Sequence, residues 1–275
     1  MKQFLIIFFG LTLLLYVLYS RNQTNHPNDT DTISPTKSDE IPNAIEDDSP
    51  KNTVVYADKS YRFEFRKIGI SDKLLLIPNF KNKLSSQGIA LKYDCDYGIN
   101  GGFYTKENTP LGLFYTDESQ MGQSIDSATF NGLFGLRKGS SPQSVRWYLE
   151  YQGALPIESD LESDFDFIFQ TGPLYDLSLE YANFFDTNFA RRNLVAQDDR
   201  GDMYLFTIFD SESRYSGPRL EDIPNIFQTD TIKNIANFNK VLNLDGGSAS
   251  AYIDVDSNTH ITELRPIGSF LCGKK

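Results

Sequence analysis

The chain has 275 residues, enough for one large domain or two small ones, with an ordinary apolar content and a formal net charge of −11. An acidic balance of this size repels polyanions at long range, so the composition argues against DNA or RNA as a partner. Only two histidines and two cysteines occur, which excludes a histidine-rich metal site and any CxxC pair.

The chain begins with an apolar run followed by a polar stretch. Phe4 to Tyr19 carry no charge, and Lys2 and Arg21 flank them, as in a secretory signal or an uncleaved signal anchor. We therefore expect a membrane or signal segment over residues 1–21. Residues 22–52 are rich in Asn, Asp, Ser, Thr and Pro, which predicts a disordered stalk. A domain at residues 53–275 would then lie outside the cytoplasm, either anchored or secreted.

Folded structure is predicted from about Thr53 by apolar runs and alternations that are typical of strands. The runs are NTVVYAD, YRFEFRKI, KLLLIPNF, VRWYLEY, DFDFIFQTG, NLVAQDD, MYLFTIF and KVLNLDG. Helices are predicted for LSLEYANFFD and for TDTIKNIANFNK, the latter with an N-cap at Thr229, Asp230 or Thr231. Strands outnumber helices without strict alternation. We therefore predict an α+β fold, with strand-rich mixed sheets packed with a few helices in a single globular domain.

Three strand-like runs end in glycines beside a polar side chain. They are YGINGGFY with Asn100, Gly101 and Gly102, FIFQTGPLY with Gln170, Thr171 and Gly172, and LNLDGGSAS with Asn243, Asp245, Gly246, Gly247 and Ser248. Glycine allows the backbone to approach a ligand closely, and successive amides in such turns can hold an anion. A fixed carboxylate beside them can act as an acid, a base or a nucleophile. Each motif alone also fits a plain turn or a hairpin loop, so single motifs leave both interpretations open.

Taken in this order, the motifs resemble those of the phosphodiester glycosidase family. The chain carries Asn100-Gly101-Gly102-Phe103-Tyr104, Pro110-Leu111-Gly112, Gln170-Thr171-Gly172-Pro173, Arg192-Asn193 and Asn243-Leu244-Asp245-Gly246-Gly247-Ser248. The resemblance spans roughly residues 56–270 and is closer to the compact bacterial members than to the disulfide-rich animal ones. It implies a hydrolase that cleaves the anomeric sugar–phosphate bond of a cell-envelope or extracellular glycoconjugate.

The resemblance also implies roles for individual residues. Asp245 is the expected catalytic or sugar-orienting carboxylate. Arg192 is expected to pair with phosphoryl oxygens, and Arg191 competes with it for that role. Asn100 and Gln170 are expected to bind sugar hydroxyls or a phosphoryl oxygen. The remaining expected substrate-binding residues are Gly101, Gly102, Thr171, Gly172, Asn243, Gly246, Gly247 and Ser248. No cofactor and no metal are expected, since DVDSNTH fits a hairpin turn better than a calcium loop.

Two other functions fit the same sequence. An anchored, aromatic-rich domain also suits a non-catalytic protein that binds glycans or other surface partners. Ser248 or Ser250, together with His260, would suit a hydrolase with a serine nucleophile.

The sequence leaves three further points open. Cys95 and Cys272 either form one disulfide, as an exported domain permits, or remain two buried thiols. Ordinary glycosidases use two carboxylates, and Asp94 and Asp96 are the nearest candidates for a second one, although they also fit a solvated turn. The oligomeric state is not fixed by the sequence.

Overall fold

The computed structural model describes residues 52–117, 119–139, 147–155, 160–178, 186 and 188–275. The apolar run Phe4 to Tyr19, the polar stretch that follows it and most of the predicted helix LSLEYANFFD lie outside these residues. Within the described ranges, no helix has the length and apolar character needed to span a membrane.

The first sheet contains six strands. They are β1 (Thr53–Tyr56), β2 (Lys59–Lys67), β10 (Leu174–Asp176), β11 (Arg192–Asp198), β12 (Met203–Asp210) and β13 (Phe238–Asn243). Their order across the sheet is β1-β2-β12-β11-β13-β10. Two short helices, α3 (Ile223–Phe227) and α4 (Asp230–Lys233), cover one face of this sheet with buried apolar side chains.

The second sheet contains five strands. They are β3 (Lys73–Pro78), β4 (Tyr97–Asn100), β14 (Tyr252–Asp254), β15 (Thr259–Ile261) and β16 (Ser269–Lys274). Their order is β15-β14-β4-β16-β3. Helix α1 (Ser86–Tyr93) covers the outer face. Its N-cap is Ser85, whose side chain accepts a hydrogen bond from the Gly88 amide.

The third sheet also contains five strands. They are β5 (Phe114–Thr116), β6 (Ser119–Gly122), β7 (Gly132–Arg137), β8 (Trp147–Tyr151) and β9 (Phe165–Thr171). Their order is β6-β5-β9-β7-β8, and the one-turn helix α2 (Leu161–Asp164) leads directly into β9.

The inner faces of the three sheets share one hydrophobic core. Alternation along the strands directs every second side chain inward, where it meets side chains from the other sheets. Among the buried members are Leu76, Ile99, Tyr252, Phe134, Phe169, Val195, Leu205 and Leu242. Burying a side chain of this size stabilises the fold by about 1.5–3 kcal/mol. This shared core holds the three sheets against one another.

The predicted strands are confirmed, and two details of the predicted fold are wrong. Every strand pairing in the described structure is antiparallel, so the sheets are not mixed. The helix predicted over TDTIKNIANFNK ends at Lys233, because Phe238 and Val241 pack against the first sheet as members of β13. Helices α1 and α3 were not predicted.

Cys95 and Cys272 form a disulfide between the start of β4 and β16, with their Cα atoms 5.4 Å apart. The disulfide alternative is therefore confirmed. Asp94 and Asp96 flank this bridge at the start of β4, whereas Asn100 lies at the end of the same strand. The two acids thus occupy a turn, as the simpler interpretation predicted.

Candidate active site

The ends of four strands, β4, β9, β11 and β13, are joined by hydrogen bonds at one place. The Asn100 side chain amide donates to the Asp245 carbonyl oxygen at 2.7 Å, which joins the end of β4 to the loop after β13. The Leu244 amide donates to the Asn193 carbonyl oxygen at 2.8 Å, and the Thr171 hydroxyl donates to the Asn243 carbonyl oxygen at 3.0 Å. The motifs that stand far apart in the sequence therefore converge on one place.

Asn100 holds the backbone of Asp245 in position. While its Nδ2 donates to Asp245, its Oδ1 accepts hydrogen bonds from the Ala251 amide at 2.9 Å and from Nδ2 of Asn193. The Asp245 amide in turn donates to the Gly101 carbonyl oxygen at 3.0 Å. Asn100 is 1% exposed and its amide atoms are bonded within the protein. Its part in the site is to fix Asp245 rather than to face a ligand.

The Asp245 carboxyl group is half-buried and carries the site's strongest electrostatic perturbation. Burial raises the pKa of Asp245 to about 7, and the hydrogen bond from the Gly246 amide opposes this rise only in part. No lysine, arginine or histidine among the described residues lies within 4 Å of the carboxylate. Near neutral pH the group exists in both forms, which suits general acid or general base chemistry.

The glycines of the two Gly-Gly motifs serve close packing. A Cβ at Gly101 would lie 2.4 Å from the Ser269 hydroxyl oxygen, and one at Gly246 would lie 2.7 Å from the Arg191 carbonyl oxygen. The Gly101 amide donates to the Ser269 carbonyl oxygen at 2.9 Å, and the Gly247 amide donates to that of Arg191 at 2.8 Å. These two amides already donate within the protein, and binding of an anion by the glycine motifs stays a prediction.

Arg192 does not point into the site. Adjacent strand residues face opposite sides of a sheet, so Asn193 faces the second sheet and Arg192 faces away from it. The guanidinium of Arg192 donates to the Pro218 carbonyl oxygen at 3.0 Å, to the Asn188 carbonyl oxygen at 2.7 Å and to the Asp186 carboxylate at 2.8 Å. Burial lowers the pKa of Arg192, and Asp186 offsets part of that change. In this geometry the charge of Arg192 is used within the protein, and its pairing with a phosphoryl group stays a prediction.

Arg191 is committed to the protein as well. Its guanidinium donates to the carbonyl oxygens of Arg214 at 3.1 Å, of Thr262 at 2.8 Å and of Ser250. The side chain is 1% exposed, and burial lowers its pKa. Arg191 thus joins three loops beside the site without presenting its charge to solvent.

Gln170 fastens a loop instead of facing a ligand. Its Oε1 accepts from the amides of Leu113 at 3.1 Å and Ile125 at 3.0 Å. Its Nε2 donates to the carbonyl oxygens of Ile125 at 2.7 Å and Phe130 at 2.6 Å. Backbone groups thus bond both amide atoms of Gln170, and its binding of a sugar or phosphate stays a prediction.

Thr171, Gly172 and Asn243 connect the ends of β9 and β13. Besides accepting from the Thr171 hydroxyl, Asn243 donates through Nδ2 to the Gly172 carbonyl oxygen at 3.0 Å. A Cβ at Gly172 would lie 2.4 Å from the Thr129 carbonyl oxygen. These three residues therefore bring the strand ends together. Oδ1 of Asn243 has no hydrogen-bond partner in the described structure, and contact of these residues with substrate stays a prediction.

Tyr104 and Arg265 had no role in the sequence prediction, and both lie near the loop that carries Asp245. Burial raises the pKa of the Tyr104 phenol most, Asp245 raises it further and Arg265 lowers it, so both charged groups lie close to this ring. The Tyr104 hydroxyl donates to the Pro266 carbonyl oxygen, and the Arg265 amide donates to the Ser248 carbonyl oxygen at 3.0 Å. Tyr104 could have been found inside the Asn-Gly-Gly-Phe-Tyr motif, whereas no motif marked Arg265.

A serine–histidine pair is not formed. The Ser250 hydroxyl is buried and has no hydrogen-bond partner, and His260 is exposed on β15. Throughout the part of the chain that the structure describes, no hydrogen bond joins His260 to Ser248 or Ser250. The described residues therefore do not show the pairing that the serine-nucleophile alternative needs.

The chain is similar to a known protein family and to several solved structures. The sequence profile of the phosphodiester glycosidase family matches residues 93–272. The catalytic domain of zebrafish N-acetylglucosamine-1-phosphodiester alpha-N-acetylglucosaminidase, auto-inhibited by its pro-peptide, is similar in structure, with a TM-score of 0.58, 17% identity and 81% coverage of both chains. No sequence among the curated proteins matches the chain.

Two bacterial structures share the fold. A hypothetical protein from Synechocystis has a TM-score of 0.50 and 14% identity over 81% of this chain and 61% of that one. A protein inferred to be exported by Burkholderia pseudomallei K96243 has a TM-score of 0.52 and 10% identity over 79% of this chain and 75% of that one. At these identities the similarity establishes the fold alone.

Proposed function

Because the chain belongs to the phosphodiester glycosidase family, we propose that it hydrolyses the bond between the anomeric carbon of a sugar and the phosphate oxygen of a glycosyl phosphodiester. The observation that carries this proposal is the Asp245 carboxyl group. It is held by the Asn-Gly-Gly motif through its own backbone, and it lies half-buried without a cationic partner in the described structure.

The reaction assigns Asp245 the role of general base. The bond between C1 and the phosphate oxygen breaks, and its electron pair leaves with the phosphate monoester. A water oxygen forms the new bond to C1, and the Asp245 carboxylate takes up the proton of that water before releasing it to solvent. A base is most effective when its pKa lies near the working pH, and the raised pKa of Asp245 meets that condition.

One carboxylate suffices for this substrate class. The leaving phosphate monoester has a second pKa of about 6, so it departs without being protonated first. An ordinary glycosidase instead expels an alcohol and needs a second carboxyl group as the acid. The position of Asp94 and Asp96, at the far end of β4, is consistent with a mechanism that does not use them.

We place the proposed activity outside the cytoplasm, on a cell-envelope or extracellular glycoconjugate. The disulfide between Cys95 and Cys272 supports this location, because such bonds persist mainly in oxidising compartments. The apolar run Phe4 to Tyr19 would supply a signal or an anchor, as expected from the sequence. The printed name of the zebrafish relative concerns an N-acetylglucosamine phosphodiester, which makes that sugar the first to test.

The proposal is tested with methyl phosphodiesters of glucose, galactose, mannose and N-acetylglucosamine, each as both anomers at C1. Release of methyl phosphate is followed by phosphorus NMR for the wild type and for Asp245→Asn. We expect turnover of at least one substrate by the wild type and a loss of about 10³-fold or more in the variant, which keeps the shape of the side chain without the base. Equal rates for the two proteins would refute the assignment of Asp245.

A glycan-binding protein without catalysis is the second candidate. The observation that favours it is the internal use of the side-chain amides of Asn100 and Gln170, which are then not available to orient a reacting sugar. In that case Asp245→Asn would leave binding to a glycan array unchanged, and no methyl phosphate would appear with the wild type.

A further inference from the structure

A phosphodiester carries a negative charge, and the site needs a cation to hold it. The groups that were expected to bind the phosphate are already hydrogen-bonded within the protein. The guanidinium groups of Arg191 and Arg192 are bonded to backbone carbonyls and to Asp186. The amides of Gly101 and Gly247 donate to carbonyl oxygens. An anion that reaches Asp245 must therefore be neutralised by another group.

Arg265 is an arginine on a loop that is hydrogen-bonded to the loop carrying Asp245. Its side chain is exposed, and within the described ranges no carboxylate lies within 4 Å of its guanidinium. Its backbone is fixed nevertheless, because the amides of Leu264 and Arg265 both donate to the Ser248 carbonyl oxygen, at 2.8 Å and 3.0 Å. Ser248 follows the Asp-Gly-Gly motif directly, so the loop that carries Arg265 is attached to the loop that carries Asp245.

Tyr104 attaches this loop on its other side. Its hydroxyl donates to the Pro266 carbonyl oxygen, and a Cβ at Gly268 would lie 2.7 Å from its ring. The Asn79 side chain donates to the Ile267 carbonyl oxygen at 2.8 Å. A long side chain on a backbone fixed at so many points loses less freedom on binding than one on a loose loop.

We infer that Arg265 binds the phosphoryl oxygens of the substrate, and that Tyr104 is a positioning residue that holds the Arg265 loop against Asp245. The inference rests on the proposed function and names the group that recognises the anionic half of the substrate. The planar guanidinium offers two parallel N–H donors to two phosphoryl oxygens, which a lysine cannot reproduce. The charge also stabilises the phosphate monoester as it leaves C1.

The experiment compares the wild type with Arg265→Gln, Arg265→Lys and Arg214→Gln, in which the last variant removes another exposed arginine from a loop joined to Arg191. Binding of methyl phosphate and of glucose 1-phosphate is measured by calorimetry, and kcat and KM are measured on the phosphodiester that the wild type turns over. We expect Arg265→Gln to weaken phosphate binding and to lower kcat/KM by about 10- to 100-fold. Arg265→Lys should recover part of both, and Arg214→Gln should match the wild type.

Each outcome decides the inference. Phosphate binding by Arg265→Gln at the wild-type level overturns it, and so does the absence of phosphate binding by the wild type. An equal loss in Arg265→Gln and Arg214→Gln also overturns it, because the effect would then reflect general charge. The proposed function is scored separately by wild-type release of methyl phosphate, so the inference can fail while that function stands.

Discussion

The side chain of Asn100 fixes the main chain of Asp245 through a hydrogen bond of 2.7 Å between Nδ2 and the carbonyl oxygen. The two residues are 145 positions apart, at the ends of strands in different sheets. A carboxyl group whose backbone is held in this way keeps its position while its side chain reacts. Several consequences of this arrangement can be measured.

Replacing Asn100 with alanine should destabilise the protein and impair the site together. The change leaves the Asp245 carbonyl oxygen and the Ala251 amide without their partner, and a buried group without a partner costs about 1–3 kcal/mol. We expect the free energy of unfolding in urea to fall by about 2–4 kcal/mol. The matched control is Asn237→Ala at an exposed position, which should change it by about 0.5 kcal/mol or less. Equal effects of the two substitutions would contradict the role given to Asn100.

Replacing Asp245 with asparagine should make the protein more stable at high pH. The folded protein binds the Asp245 proton with a pKa of about 7, against an ordinary value of 3.8, so ionisation is unfavourable in the folded state. The stability associated with the protonated form is fully present below pH 3.8 and is lost as the pH rises through about 7. The variant should therefore exceed the wild type by about 2–4 kcal/mol at pH 8 and match it near pH 4. A difference that does not depend on pH would show that the carboxyl is not perturbed.

The pH dependence of the reaction follows from the same group. A general base acts in its ionised form, so kcat/KM should be half-maximal near pH 7 and should fall about tenfold for each pH unit below it. A plateau that extends down to pH 5 would rule out Asp245 as the base. The buffer series should be run at constant ionic strength, because charged substrates respond to screening.

The disulfide should contribute strongly to stability. It links residues 177 positions apart, so its removal restores a large amount of conformational freedom to the unfolded chain. The double variant Cys95→Ser, Cys272→Ser should lose about 2–4 kcal/mol of unfolding free energy. The same loss should appear when the wild type is unfolded in dithiothreitol, and the double variant should not respond to the reductant. A wild type that is insensitive to reduction would contradict this expectation.

Gln170 provides a test of loop attachment that is independent of Asp245. In Gln170→Glu, a carboxylate oxygen takes the place of Nε2, which donates to the carbonyl oxygens of Ile125 and Phe130. These buried oxygens can only accept hydrogen bonds, so both bonds are lost. We expect an unfolding free energy about 3 kcal/mol lower, since the new charge has no partner there. Gln228→Glu, at an exposed position, is the control and should be nearly neutral. Comparable stability of the two variants would contradict the structural role of Gln170.

Much of the fold could be predicted from the sequence because the apolar patterns of the strands are strong. The runs around Phe206 and Phe169 are short and rich in aromatic residues, which favours a buried strand, and both strands are confirmed. The end of α4 at Lys233 could not be predicted, because the choice between helix and strand for the residues that follow is made by packing of Phe238 and Val241 against the first sheet. The antiparallel direction of the strand pairs could not be predicted either, because it depends on which strands become neighbours in each sheet.

The candidate site was predicted at the level of segments but not of side chains. The order of motifs correctly brought Asn100 and Asp245 to one place. It could not show that Gln170 and Arg192 are used to hold loops, because a polar residue at a strand end has the same sequence signature whether it binds a ligand or a carbonyl group. The placement of the Arg265 loop could not be predicted either, since it depends on the hydrogen bonds of that loop to Ser248.

Hydrolysis of a methyl glycosyl phosphate in ¹⁸O-labelled water tests the central claim most directly. If Asp245 directs water to the anomeric carbon, the label will enter the hydroxyl group at C1 of the released sugar, the methyl phosphate will contain none, and Asp245→Asn will form neither product at a measurable rate. Label in the methyl phosphate, or undiminished hydrolysis by Asp245→Asn, would contradict it.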